Sequence, residues 1–229
     1  KVANLMILNI LTILCCIPIV TCGAAFTALY YVTLKMARGE DPYIVKGYFK
    51  SFKENFRQAT VIWLIILLVA VLLVADYRVV WIAMSGKLAT FMKVLLIFVT
   101  TFLVLTALYV FPVLSRFENT VGNTLKNAFL MSFMNLPKSI MIVLIHLLPA
   151  ALILLTMQAV PFVFLLGTST VAFVSSMLFV KIFKRFEPEE EPVSGDGEEL
   201  APLSFIVEEE KEKQAALATQ ESKEETRSE

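Results

Sequence analysis

Few residues in this chain have side chains able to do chemistry, and they are scattered. His146 is the single histidine among 229 residues. It falls about eight residues into an uncharged run, so a helix there would hold it inside a bilayer. An ionisable group at that depth is a candidate site for proton or substrate handling. The plainer role is a neutral imidazole bonded to a neighbouring helix, because no Asp or Glu lies in the expected spans to pair with it. Cys15, Cys16 and Cys22 share one apolar run without zinc-ligand spacing, and they read as small buried hydrophobes with no disulfide framework. No nucleophile adjoins a base, no carboxylates pair in a pocket-forming segment, and no Gly-rich phosphate loop occurs. An enzyme is not expected, nor a cofactor or metal.

What would hold His146 in place is set by composition. Hydrophobic residues make up 58% of the chain and charged ones only 17%, far from the balance of a soluble domain. The formal charge of zero conceals a separation. Residues 1–186 carry sixteen basic and five acidic side chains, whereas residues 187–229 carry fifteen acidic and four basic ones. Such asymmetry points to a membrane body and an acidic tail. The tail is polar and Pro-containing, and the expectation for it is disorder.

Uncharged runs give an all-α integral membrane fold with five transmembrane helices over about 5–34, 58–75, 94–115, 139–157 and 161–180. The first run is too long for one straight helix, and Pro18 and Gly23 supply a kink. Val20-Thr21-Cys22 loosely matches a lipoprotein cleavage box, but Thr before Cys does not suit it, so a retained helix is expected. The chain opens on Lys1 rather than Met, which points to preceding residues. Pro149, Gln158 and Pro161 mark the turn between the fourth and fifth spans. Twelve Lys and Arg flank the spans on one side against four on the other, placing the first and third loops and the tail in the cytoplasm and the N-terminus outside.

Thr27-Ala28-Leu29-Tyr30 recurs as Thr106-Ala107-Leu108-Tyr109, and Ser51-Phe52 as Ser132-Phe133. The spans thus form two parallel two-span repeats plus a fifth helix. Each repeat contains an amphipathic cytoplasmic segment, 42–57 and 117–138. In the first, Val45, Phe49, Phe52 and Phe56 share a helical face beside a stripe of Lys46, Lys50, Lys53 and Arg57. Rings beside cations suit a lipid interface, or alternatively a docking surface for a cytoplasmic partner. Because the basic residues hug the membrane boundary, nucleic-acid binding is not expected.

The residues Pro18-Ile19-Val20-Thr21-Cys22-Gly23-Ala24-Ala25, Ala28-Leu29-Tyr30-Tyr31 and Phe49-Lys50-Ser51-Phe52-Lys53-Glu54-Asn55-Phe56 resemble the YesL-like family of bacterial membrane proteins. The resemblance implies a multi-pass protein of the bacterial inner membrane without an established activity. It also implies an association with carbohydrate uptake, and hence carbohydrate ABC transporter subunits as partners besides the bilayer. Two function classes follow. One is a non-enzymatic accessory or regulator of carbohydrate uptake; the other is a small transporter with a substrate path between the repeats.

Overall fold

A computed structural model describes residues 2–40, 42–156, 158 and 160–186; the acidic tail expected to be disordered, 187–229, lies outside the described residues. All the regular structure among the described residues is helical: α1 (Val2–Cys16), α2 (Cys22–Arg38), α3 (Ile44–Ile82), α4 (Gly86–Arg116), α5 (Val121–Met134), α6 (Leu136–Leu155), a single turn α7 (Val160–Phe162), a π-turn (Val163–Gly167) and α8 (Thr168–Phe183). Five helices are long and apolar enough to cross a membrane, ending at Arg38, Ile82, Arg116, Leu155 and Phe183.

The first run is two helices and not one kinked span. Pro18 cannot supply the N–H that would continue α1, and a short 3-10 turn over Ile19–Thr21 follows. The Thr21 hydroxyl lies within hydrogen-bond distance of the Cys15 carbonyl (2.5 Å), an acceptor left at the end of α1, and of the Pro18 carbonyl (2.8 Å) in the turn. The chain then turns back on itself. The Tyr48 hydroxyl meets both the Ala25 carbonyl (3.4 Å) and the side chain of Thr12. In a continuous helix residues 12 and 25 would lie about 20 Å apart at 1.5 Å per residue. A single kinked helix therefore does not describe this segment, because α1 packs into the bundle, where Leu8 is fully buried.

α2 ends on Gly39 with φ 83°, the left-handed conformation that closes a helix and that glycine adopts without a Cβ penalty. The Gly39 and Glu40 N–H groups return to the carbonyls of Met36 and Lys35. α3 then runs antiparallel to α2. Gly47 faces Tyr31 and Val32, and Gly23 abuts Ala59 and Trp63. The Trp63 indole N–H donates to the Ile19 carbonyl at 2.8 Å, so the α1–α2 turn lies level with Trp63. Beyond that level α3 continues to Ile82, about 28 Å further, paired with α4 through the Tyr77 and Thr100 hydroxyls (3.2 Å).

Two expected boundaries fall differently. The amphipathic segment 42–57 and the second span are one 39-residue helix, because no proline interrupts the run and its glycine, Gly47, is in the first turn. Asp76 and Arg78 lie inside α3 rather than beyond it, and α4 begins at Gly86 rather than near 94. In the second half a break does occur. Asn135 leaves helical geometry (φ −120°, ψ 40°), and Pro137 opens α6 at a position where its missing N–H costs nothing. Pro149 sits inside α6, so only Gln158 and Pro161 mark the turn to the last span.

Candidate functional site

His146 projects from the middle of α6 toward α2. Its Nδ1 lies 2.8 Å from the Ile142 carbonyl and its Nε2 3.1 Å from the Tyr30 hydroxyl. A carbonyl oxygen can only accept, so Nδ1 carries the proton in that contact. In the neutral ring Nε2 is then the acceptor and the Tyr30 O–H donates to it. The expected interhelical bond is thus present, and its partner is the tyrosine of the first Thr-Ala-Leu-Tyr motif.

The tyrosine of the second motif behaves similarly. The Tyr109 hydroxyl bonds the Ser139 hydroxyl at 2.8 Å, also on α6. Both tyrosine rings meet the ring of Phe179 edge-on, at centroid distances of 5.9 and 4.9 Å. Such T-shaped contacts set the positive ring edge against the negative face. Phe179 is fully buried, so one residue of α8 meets the tyrosines of both motifs.

Tyr30 and His146 border a cavity of about 380 Å³ walled by α2, α4, α6, the π-turn and α8. Its other walls are apolar apart from Thr168: Phe26, Leu108, Phe111, Pro149 and Val171 contribute most of the bulk. Val104 and Thr168 lie at its exposed rim. The π-turn is part of how the cavity arises. Widening the helix to i→i+5 bonding displaces Val163 and Gly167 relative to an ordinary helix, and such turns recur at functional sites.

A residue that sequence reasoning passed over holds this turn. Asn9 of α1 is fully buried. Its Nδ2 donates to the Phe164 carbonyl at 2.6 Å, and its Oδ1 accepts from the Ser169 N–H at 3.1 Å. Both backbone groups belong to the irregular stretch where the helical ladder is interrupted, so one carboxamide satisfies a donor and an acceptor at once. The available signal was an Asn in the middle of an apolar run, the kind of polar residue that is expensive inside a membrane.

The second candidate surface lies along the first turns of α3. Lys46, Lys50, Lys53 and Arg57 are exposed, as are Phe49 (39%) and Phe56 (36%). Phe52 departs from the expected face. It is half-buried, stacked near Tyr48 with a 6.3 Å centroid separation, and packed on the core. Glu54 reaches Lys50 at 4.0 Å across one helical turn, an exposed pair that contributes little stability. Gln58 closes the segment, its Nε2 donating to the Asn119 carbonyl before α5. His146 and the basic stripe sit on different helices with different surroundings, and nothing brings them into one site. The three cysteines are half-buried free thiols around the α1–α2 turn. Among the described residues no cluster of His, Cys, Asp or Glu has the makings of a metal site.

No curated protein and no solved structure matches the chain. Residues 5–77, which carry Asn9, Gly23, Tyr30 and the basic stripe but not His146, match the model of a family described as "Protein of unknown function, DUF624".

Proposed function

We propose that this chain is a non-enzymatic multi-pass protein of the bacterial inner membrane that serves as an accessory partner of carbohydrate uptake. In this reading the start of α3, the α4–α5 loop and the tail face the cytoplasm. The observation that carries it is the continuity of α3. An amphipathic helix that merely floats on a bilayer needs a break from the neighbouring span so that it can lie flat. Here the basic, aromatic stretch from Lys46 to Arg57 is rigidly continuous with the apolar stretch that follows. It stands at a fixed angle and presents Phe49, Phe56 and four cations together, a shape suited to docking against a protein partner with a complementary acidic rim. The YesL-like resemblance supports a carbohydrate importer as that partner. The Tyr30 and Tyr109 contacts support the two-repeat reading, because matched residues of the two motifs grip the same helices.

A second reading, a small transporter with a substrate path between the repeats, draws on the cavity beside His146. Against it stands the cavity lining. Tyr30, His146 and Thr168 cannot replace the water around a sugar or an ion, and dehydrating such groups against apolar walls is costly.

Copurification of the tagged full chain in mild detergent separates the two. The accessory reading expects permease or ATPase subunits to come down with the wild type, and expects their loss when Lys46, Lys50, Lys53 and Arg57 are changed together to Glu. Recovery of the chain alone, with sugar or ion flux in proteoliposomes, overturns it in favour of transport.

A further inference from the structure

We propose that the cavity between α2, α4, α6 and α8 is a binding site for a membrane-dissolved amphiphile with one neutral hydroxyl, such as a long-chain alcohol. Its apolar chain would lie against Phe26, Leu108 and Val171, and its hydroxyl would donate to Tyr30. Size and lining fit such a ligand: about 380 Å³ lies within the range of small-molecule pockets, which are mostly apolar with a few placed polar groups.

Recognition of the head follows from proton bookkeeping. The Nδ1–H of His146 is committed to the Ile142 carbonyl, and Nε2 takes the proton of Tyr30. Nothing anionic lines the cavity, so the imidazole is neutral. The Tyr30 oxygen is left as an acceptor, its proton already given to His146. Tyr30 is buried, and no other hydrogen bond to its hydroxyl occurs among the described residues. A buried acceptor with spare capacity in an apolar chamber selects a donor, hence a hydroxyl rather than an ether, an ester or a bare hydrocarbon. A carboxylate or phosphate would bring a charge into apolar walls with no cation at hand.

Access and shape support the same occupant. The rim residues Val104 and Thr168 are exposed on the flank of apolar helices, so entry is lateral, from lipid. The π-turn, pinned by Asn9, keeps Val163 and Gly167 at the wall. At Gly167 a Cβ would come within 2.9 Å of the Val163 side chain, so this corner has no slack to collapse into the void. The proposal stands apart from the accessory role, since a bound amphiphile is compatible with either partner docking or its absence.

The test uses the full chain in phospholipid nanodiscs and a tetradecanol bearing a photoactivatable diazirine on its chain, with crosslinks mapped by peptide mass. Saturable labelling of α4 and α8 is expected, competed by 1-tetradecanol and about three- to tenfold less well by methyl myristate, which has no donor; that is the range for one ordinary hydrogen bond. Tyr30→Phe combined with His146→Phe, which leaves neither the phenol oxygen nor the imidazole Nε2 as an acceptor, should remove the preference for the alcohol while leaving ester competition unchanged. Ala107→Phe, or Val171→Phe should the first variant misfold, should abolish labelling by filling the chamber. Labelling that never saturates, or that persists in a folded cavity-filled variant, overturns the site. Equal competition by alcohol and ester overturns the assignment of the hydroxyl.

Discussion

Asn9 illustrates how much one buried polar side chain can govern. Replacing it with leucine keeps the volume roughly constant but strips partners from the Phe164 carbonyl and the Ser169 N–H. Each backbone group left bare in an apolar interior costs about 1–3 kcal/mol. Asn9→Leu is therefore expected to lower the thermal midpoint in detergent markedly, followed by tryptophan fluorescence. An unchanged midpoint would mean that the π-turn satisfies itself. His146→Phe should cost less, because it leaves one group, the Tyr30 hydroxyl, without its partner, whereas Asn9→Leu strips two. At this scale the sequence was half legible. His146 drew notice because it is unique in the chain, and an interhelical bond is what a neutral imidazole in an apolar run seeks. Asn9 has no such signal, and Tyr30 shows only as part of a repeated motif, since the partners that give them meaning lie 155 and 116 residues away.

Helices were legible where period and punctuation agreed, and misjudged where they competed. Pro18 alone suggests a kink, whereas Thr21, three residues later, caps the Cys15 carbonyl of a helix that has ended. The charges from Lys46 to Arg57 set the amphipathic segment apart from the span, yet charge does not break a helix, and α3 runs through both. What orders the packing of α2 on α3 is a small-residue contact of the kind that lets membrane helices approach closely. A Cβ at Gly23 would lie 2.5 Å from the Ala59 carbonyl oxygen and 2.7 Å from the Trp63 Cβ, neither of which can move without shifting a backbone. Gly23→Ala should therefore destabilise the fold despite the better helix propensity of alanine. Gly122, in α5, has nothing within 4 Å of the same position, and Gly122→Ala should stabilise by up to about 1 kcal/mol. Opposite signs in chemical or thermal unfolding are the expected result. Two changes of the same sign would show that propensity, not the α2–α3 contact, decides.

Across the whole molecule, composition disclosed a membrane protein and the number of apolar helices, but not their stagger. α2 lies beside residues 44–59 of α3, with its N-terminus level with Trp63, near where the apolar part of α3 begins. Laid end to end, the twenty residues Ile19–Arg38 and the stretch from Trp63 to Ile82 would span about 60 Å, twice the roughly 30 Å hydrocarbon core. One flat bilayer cannot hold both as full, upright crossings. Burial indicates which it holds: 56% of the apolar window of α2 is covered by protein, against 11% for α3, and a helix sheathed by its own fold needs lipid least. Tyr77 and Trp81 then sit at the far interface, with the Lys93 ammonium 5.0 Å over the Trp81 ring, as an aromatic belt would place them. The α1–α2 turn, level with Trp63, is accordingly expected at the interface on the side on which α2 ends. In a background with Cys15, Cys16 and Cys22 changed to Ala, a cysteine at Ser85 should react with a membrane-impermeant maleimide from one side of sealed vesicles, and a cysteine at Lys50 from the other. A cysteine at Ile19, exposed on the protein at 66% and level with Trp63, should react from the same side as the one at Lys50. Labelling of Ile19 from the same side as Ser85 would restore α2 as a full crossing, and the stagger would then have to be absorbed by a tilt of α3.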